Sequence, residues 1–257
     1  MESYTELADL YDTFMDNVPY EDWMKRIQKV LKKENINDGL LLDLGCGTGT
    51  LTEMLAKAGF DLIGIDNSSA MLQKAQEKTL ASGSDILYLN QDMRAFELFG
   101  TVRGIICICD AVNYILDPEE LLEVFRLVNN YLDPEGVFLF DFNTKTKYKR
   151  VGSQTIAEDR EDCAFIWDNY YDEKEAINEY ALTLFKEVAG GLYEREMEVH
   201  YQRGYTLEEI RDLIERSGLR FVSATDETNG PVTKDSERIF VVAREHGKTD
   251  RIKRKEL

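Results

Sequence analysis

A glycine-rich segment, Leu41-Leu42-Asp43-Leu44-Gly45-Cys46-Gly47-Thr48-Gly49, constrains the fold of this chain more than any other feature. An apolar run enters a turn with the spacing G-x-G-x-G, and a helical pattern follows at once. Glycine lets the backbone turn tightly and approach a ligand, and the free N–H groups of a new helix favour an anionic part of that ligand. The spacing differs from the G-x-G-x-x-G of dinucleotide-binding proteins, and a lone glycine turn can also be a plain strand-to-helix connection.

Short apolar runs alternate with helical periodicity through the first half of the chain. The runs cover residues 40–44, 62–65, 86–89, 105–109 and 137–142. Fully apolar strands separated by helices are typical of a parallel sheet covered on both faces. We therefore predict an α/β fold with a doubly wound sheet.

The pattern changes after Asn143. Residues 158–175 are rich in acids and are interpreted as an exposed connection. Apolar and polar residues then alternate over 193–202, after a turn at Val188-Ala189-Gly190-Gly191. We predict an antiparallel meander of about three strands over residues 162–205, followed by a helix and two more strands.

Acidic residues follow two successive apolar runs. Asp66 ends the second run, seventeen residues after Gly49, where a carboxylate can accept hydrogen bonds from both ribose hydroxyls. Asp92-Met93 ends the third, where a carboxylate can bind an exocyclic amine and an apolar side chain can cover the ring. Each acid alone is as typical of a strand end or a helix cap, but the combination favours a nucleoside ligand.

With these residues the chain resembles the class I S-adenosylmethionine-dependent methyltransferases. The resemblance is carried by Asp43–Gly49, Gly64–Ser68 with Met71, and Asp92-Met93, and it spans about residues 36–142. The N-terminal Tyr4-x-x-Leu7-Ala8-x-x-Tyr11-Asp12 and Tyr20-x-x-Trp23 further resemble a bacterial small-molecule-type subgroup of unassigned substrate. The resemblance implies a seven-stranded Rossmann-like sheet with an inserted antiparallel β-meander.

The resemblance also implies a cofactor, S-adenosyl-L-methionine, and residues that bind it. The glycine turn would meet the methionine moiety, Asp66 the ribose, Asp92 the adenine amine and Met93 the adenine face. Met71 and Met93 are equally typical of core packing. The complete predicted set is Tyr11, Gly45, Cys46, Gly47, Asp66, Asn67, Met71, Asp92, Met93 and Cys109.

The candidate catalytic residues are Asp110, Asn113 and Tyr114, which follow the fourth strand. The family places the reacting methyl group and the acceptor there. Methyl transfer from a sulfonium is an in-line displacement, which alignment and exclusion of water can accelerate. Asp110 is predicted to orient or deprotonate the acceptor, and Asn113 and Tyr114 to hydrogen-bond it; capping of the following turn is the alternative for Asp110 and Asn113.

The sequence divides into four predicted parts. They are an N-terminal helical cap (1–35), an S-adenosylmethionine-binding Rossmann-like domain (36–142 and 206–245), an inserted antiparallel lid or acceptor subdomain (143–205) and a basic tail (246–257). The segment Tyr4–Tyr20 and the 162–205 meander are both predicted to close over the cofactor, with Tyr11 contacting it or the acceptor. The alternative is that the N-terminal helices only cover a face of the sheet.

The net charge and the cysteine content limit which partners and metal sites are expected. The formal net charge of −18 repels phosphate backbones and anionic lipid, so neither nucleic acid nor a membrane is expected as a partner. The four cysteines form no C-x-x-C pair, and with two histidines they predict no metal site. No signal peptide is apparent, which predicts a cytoplasmic protein.

The leading interpretation is a methyltransferase acting on a small-molecule acceptor. One alternative is a non-catalytic S-adenosylmethionine-binding regulator. A nicotinamide-dependent oxidoreductase is the other; the glycine spacing and Asp92-Met93 disfavour it.

Overall fold

A computed structural model of the chain describes residues 8–248, apart from the side chains of Asp9 and Ala189. In chain order the strands are β1 (Leu40–Leu44), β2 (Asp61–Asp66), β3 (Ile86–Asn90), β4 (Val102–Cys107), β5 (Leu132–Asn143), β6 (Thr155–Asp159), β7 (Cys163–Asp172), β8 (Ile177–Ala189), β9 (Leu192–Arg203), β10 (Arg220–Asp226) and β11 (Arg238–Arg244). The helices are α1 (Ala8–Phe14), α2 (Tyr20–Lys33), α3 (Thr50–Lys57), α4 (Ser69–Ser82), α5 (Pro118–Tyr131), α6 (Lys145–Val151) and α7 (Leu207–Arg216), with a 3₁₀ turn at Ala111–Tyr114.

The larger sheet has seven strands in the order β10-β11-β5-β4-β1-β2-β3. Strands β1 to β5 are parallel, and β11 runs antiparallel to both β5 and β10. The strand order reverses between β1 and β4, so the carboxyl ends of these two strands flank a crevice. The predicted doubly wound, seven-stranded Rossmann-like sheet is confirmed.

Helices cover both faces of this sheet. Phe125 of α5 and Ile210 of α7 lie in the core on one face, and Ile27 of α2 and Leu55 of α3 lie in the core on the other. Each of these four side chains is fully buried. Strands between two apolar layers have no solvent face, which explains why their sequences are continuous apolar runs.

The smaller sheet has four antiparallel strands in the order β6-β7-β8-β9. The three strands predicted over 162–205 are β7, β8 and β9, and the fourth strand, β6, precedes that range. Most of the acidic stretch 158–175, predicted as an exposed connection, is strand. The acids were misleading because an acid also fits the solvent face of a strand: Asp168 of β7 is exposed, whereas Phe165 and Asn169 on the same strand are buried.

The smaller sheet has two unlike faces. Its inner face packs Leu182 and Leu184 against α1, and it also buries His200 and Gln202 of β9. Met197, Val199 and Tyr201, which alternate with them on β9, lie on the outer face and are exposed. Near the end of β9 the polar residues are thus the buried ones, which period two alone does not reveal.

The larger sheet draws its strands from residues 40–143 and 220–244, and the smaller sheet from residues 155–203. The division of the chain into four parts stays a prediction. Tyr4, Leu7 and residues 249–257 of the basic tail lie outside the described residues, as do the predictions made for them. Among the helices of residues 8–248, none is long and apolar enough to cross a membrane.

Candidate cofactor and acceptor site

The glycine turn joins β1 to α3 in left-handed backbone conformations. Gly45, Gly47 and Gly49 have φ values of 79°, 53° and 74°. The N–H groups of Gly45 and Cys46 both donate to the carbonyl oxygen of Ile65, at 2.7 and 2.9 Å. The turn is therefore held against the end of β2, in a backbone shape that strongly favours glycine.

The surroundings of the glycines differ in a way that locates free space. A Cβ atom at Gly45 would lie 2.9 Å from the Cβ of Ala111, and one at Gly49 would lie 2.5 Å from the hydroxyl of Tyr88. A Cβ at Gly47 would meet no heavy atom within 4 Å. The backbone of Gly47 thus borders open space, as the binding of a ligand against the turn requires.

That space belongs to a cavity at the carboxyl ends of β1 and β4, here called the cofactor cavity. It is lined by Tyr11, Tyr20, Trp23, Asp43, Gly45, Cys46, Gly47, Thr48, Thr50, Leu51, Ile108 and Cys109. Half of the ten predicted cofactor residues are in this lining. The remaining lining residues were not singled out as cofactor residues by the sequence analysis, although Tyr20 and Trp23 belong to its N-terminal motif.

Asp66 is tied to the glycine turn. One carboxylate oxygen accepts the N–H of Gly47 at 2.9 Å, and the other accepts the N–H of Ser68 at 2.9 Å. Burial raises the pKa of Asp66, although these two hydrogen bonds act in the opposite direction. The carboxylate is thus fixed beside the cavity with acceptor capacity left for hydroxyl groups.

The residues predicted around the adenine lie near the ends of β2 and β3. Asp92 forms a two-pronged ion pair with Arg94, with contacts of 2.6 and 3.0 Å, and this hydrogen bonding lowers the pKa of Asp92. The Cε of Met93 lies 3.4 Å from a Cβ built at Gly45, so this side chain lies against the turn. Met71 is 2% exposed, and Asn67 is exposed. The roles of these residues in binding stay predictions.

The end of β4 is strained and charged. Cys109 and Asp110 have φ values of 69° and 51°, which is unusual for residues other than glycine. One oxygen of Asp110 pairs with Arg238 at 2.5 Å, and the other accepts the amide of Gln202 at 2.7 Å. Burial alone would raise the pKa of Asp110, but the charge of Arg238 and the hydrogen bonds outweigh it and lower the pKa.

Arg238 and Gln202 were missed by the sequence analysis. Arg238 also pairs with Asp141, whose other oxygen accepts the N–H of Asp110 at 2.9 Å. Arg238 lies 128 residues from Asp110 and Gln202 lies 92 residues from it. At such separations no local pattern signals the contact.

Asn113 and Tyr114 occupy different environments. Asn113 is fully buried; its amide donates to the carbonyls of Asn143 and Arg203, and its oxygen accepts the N–H of Asn143 at 2.9 Å. Tyr114 is half-buried, and its hydroxyl bonds that of Tyr180 on the inner face of the smaller sheet. This geometry favours a structural role for Asn113, while Tyr114 stays a candidate for acceptor binding.

Helix α1 lies between the glycine turn and the smaller sheet. Asp12 accepts the hydroxyl of Thr48 at 2.7 Å and pairs with Lys78 of α4 at 2.6 Å. On its other side, Phe14 packs edge-on against Phe165, with ring centroids 4.8 Å apart. Tyr11 of the same helix lines the cofactor cavity.

The residues fit S-adenosylmethionine. Gly47 opens onto free space, Asp66 is a fixed carboxylate with acceptor capacity left, and Asp92 is a carboxylate beyond the end of β3 that pairs with Arg94. Within the described part of the chain, no group of three or more His, Cys, Asp or Glu residues is placed to hold a metal ion.

Comparison with known proteins defines the class. The model of the methyltransferase domain family matches residues 41–136. A Bacillus subtilis protein named as a methyltransferase, YqeM, is 35% identical over 245 residues, covering 93% of this chain and 96% of the relative.

Two solved structures agree. An S-adenosylmethionine-dependent methyltransferase from Clostridium acetobutylicum has a TM-score of 0.86 and 29% identity, covering 95% of this chain and 99% of its own. The sugar N-methyltransferase KedS8 from a Streptoalloteichus species shares the fold, with a TM-score of 0.75, 18% identity and coverage of 91% and 93%.

The chain belongs to the S-adenosylmethionine-dependent methyltransferases, and its cofactor is S-adenosylmethionine. It is an enzyme with a Rossmann-like fold. Neither alternative, the non-catalytic regulator or the nicotinamide-dependent oxidoreductase, is favoured by these relationships.

Proposed function

We propose that this enzyme transfers the methyl group of S-adenosylmethionine to a small molecule, bound between the cofactor cavity and the inner face of the smaller sheet. The observation that carries the proposal is the arrangement of three tyrosines between the cavity and that sheet. Tyr11 lines the cavity and packs against the apolar inner face of the smaller sheet, and the hydroxyl of Tyr114 bonds that of Tyr180 on the same face. Aromatic rings with a few polar groups are typical of sites that bind small molecules.

The name of one structural neighbour supports the same acceptor class. KedS8 is described as a sugar N-methyltransferase, so this fold accommodates a small polar acceptor. The net charge of −18 also disfavours polyanionic acceptors.

In this mechanism the chain mainly binds and orients the cofactor and the acceptor, and it excludes water from the site. The cofactor supplies an electrophilic methyl group on a positively charged sulfur. Asp66 and the glycine turn fix one end of the site, and α1 with the smaller sheet excludes water from the other. Tyr114 hydrogen-bonds the acceptor atom, which aligns its lone pair for displacement.

The test separates acceptors by size. Enzyme and methyl-labelled S-adenosylmethionine are incubated with a cell extract divided by dialysis into diffusible and retained fractions. We expect label in diffusible products, and Tyr114→Phe to lower the rate at least tenfold while the Kd for the cofactor changes less than about twofold. Label confined to retained macromolecules would refute the small-molecule acceptor.

A further inference from the structure

The end of β4 carries a buried ion-pair cluster at the wall of the cofactor cavity. Two carboxylates, Asp110 and Asp141, share one guanidinium, Arg238, whose side chain is 16% exposed. The guanidinium carbon also lies 5.4 Å from the ring centroid of Trp23, a cavity-lining residue. Lys147 of α6 is the further cation whose charge reaches Asp110. Asp43, also in the cavity lining, adds a third carboxyl group nearby.

Within this cluster Asp110 is the group that connects directly to the cavity. It follows Cys109, which lines the cavity, and the two residues share a left-handed backbone turn. The N–H of Asp110 is anchored on Asp141, and Gln202 and Arg238 hold one carboxylate oxygen each. Its charge is therefore fixed in position, because the side chain cannot rotate away without breaking the contacts of both carboxylate oxygens.

The cluster holds two carboxylates and one guanidinium, so it brings more negative than positive charge to the cavity wall. Burial and then the charge of Asp110 raise the pKa of the Cys109 thiol to about 12, and the opposing influence of Arg238 is smaller. Burial likewise raises the pKa of Tyr11, and the charge of Asp110 adds to the increase. Both side chains belong to the cavity lining, so a cation placed there is attracted.

We propose that Asp110 is a specificity-determining residue that favours the positively charged sulfonium of S-adenosylmethionine over the neutral thioether of S-adenosylhomocysteine. The inference rests on the proposed function, in which the methyl group is transferred between the cofactor cavity and the smaller sheet, where Asp110 contacts Gln202. In methyl transfer the lone pair of the acceptor atom forms a new bond to the methyl carbon, the carbon–sulfur bond breaks, and its electron pair stays on sulfur. The cofactor thereby loses its positive charge, which passes to the acceptor and leaves with the acceptor's proton. The attraction to Asp110 ends with that step, so S-adenosylhomocysteine is released more readily than S-adenosylmethionine.

The same interaction gives Arg238 and Gln202 a function. Without Arg238 two carboxylates would face each other in a buried site, and one of them would take up a proton. Gln202 of β9 donates a hydrogen bond to Asp110, so the smaller sheet contacts the carboxylate that attracts the positively charged cofactor. Both are positioning residues in this scheme, since they act through Asp110.

Calorimetry with three ligands tests the proposal without knowledge of the acceptor. The ligands are S-adenosylmethionine, the cationic analogue sinefungin and the neutral S-adenosylhomocysteine. Asp110→Asn removes the charge and retains a side chain that tolerates the left-handed conformation. We expect the preference for each cationic ligand over S-adenosylhomocysteine, measured as a ratio of Kd values, to fall about tenfold.

Asp92→Asn is the matched control, since it removes a carboxylate at the predicted adenine end. It should weaken all three ligands together and leave the ratios unchanged. If Asp110→Asn does not fold, Asp110→Gly replaces it, because glycine adopts the same backbone conformation without strain. An Asp110 variant with wild-type ratios would overturn the proposal. Failure of the wild-type protein to methylate diffusible acceptors would instead refute the proposed function and leave these ratios unaffected.

Discussion

Single side chains fix the glycine turn, and Asp66 is the clearest case. Its two oxygens hold the N–H groups of Gly47 and Ser68, so one carboxylate connects the turn to the start of α4. The contact also explains why an acid at the end of β2 is an informative signal: its carboxylate stabilises the glycine turn by accepting a backbone N–H group.

We predict that Asp66→Ala weakens cofactor binding ten- to a hundredfold. The change leaves hydroxyl and N–H groups without an acceptor in a partly buried site, at about 1–3 kcal/mol. Calorimetry with S-adenosylhomocysteine gives the Kd. Asp61→Ala, at the exposed start of the same strand, is the control and should bind like wild type. Equal Kd values for the two variants would remove Asp66 from the site.

Asp43 makes stability depend on pH. It is 3% exposed, its oxygen accepts the hydroxyl of Thr52 at 2.6 Å, and burial raises its pKa from 3.8 to about 7. Because the pKa of Asp43 is higher in the folded than in the unfolded state, its protonation stabilises the folded protein. This contribution to the free energy of unfolding is complete below pH 3.8 and is lost as the pH rises to about 7.

We therefore predict that Asp43→Asn flattens the pH dependence of the free energy of unfolding. Between about pH 4 and pH 7 the wild type should lose up to a few kcal/mol relative to the variant, and the difference should then level off. Urea unfolding at several pH values measures this. A constant difference between the two proteins across the range would contradict the raised pKa.

At the scale of elements, α1 connects the cofactor cavity to the smaller sheet. Asp12 binds Thr48 and Lys78, and Phe14 packs on Phe165. Arg160, in the connection between β6 and β7, pairs with Asp16 just after α1. A helix held on both sides is suited to gate the cavity, as predicted for the N-terminal segment.

We predict that Asp12→Asn accelerates release of the cofactor about two- to fivefold. The lost ion pair is partly exposed, with side chains 45% and 30% accessible, so its contribution is about 0.5–1 kcal/mol. Stopped-flow displacement of S-adenosylhomocysteine measures the rate. Asp22→Asn, which removes an exposed pair with Lys25 on α2, should leave the rate unchanged.

Hydrogen exchange provides the independent test of closure. If α1 and the smaller sheet close over the cofactor, ligand should slow exchange in residues 8–14 and 163–203 as well as in the turn. Protection confined to the turn would mean that α1 only covers the sheet.

At the scale of the whole molecule, Asn113 joins the two sheets. It bonds Asn143 at the end of β5 and Arg203 at the end of β9, and it is fully buried. The joint fixes where the inner face of the smaller sheet stands relative to the cavity.

We predict that Asn113→Ala lowers the free energy of unfolding by about 2–4 kcal/mol, because it leaves buried backbone groups unpaired. The Kd for S-adenosylhomocysteine should change less than about twofold. Asn130→Ala, on the exposed face of α5, should change stability by less than about 0.5 kcal/mol. Full stability combined with lost activity would instead support a direct role of Asn113 at the acceptor.

The amino-acid sequence by itself determined the larger sheet and the cofactor turn. Apolar runs, the Ser68 and Asp117 caps and the capping box Thr206–Glu209 are local signals, and the structure contains each of them. Local signals suffice here because strand burial and helix capping depend on neighbours a few residues away.

Only the tertiary structure decided the acceptor side. The buried face of β9 and the pairing of Asp110 with Arg238 depend on contacts between residues far apart in the chain. Alternation shows that a strand has two faces, but the packing of α1 and the crevice decides which face is buried. Asp110 likewise becomes a fixed charge only when β11 and β9 bring Arg238 and Gln202 to it, since its partners are set by the fold and not by its neighbours in the sequence.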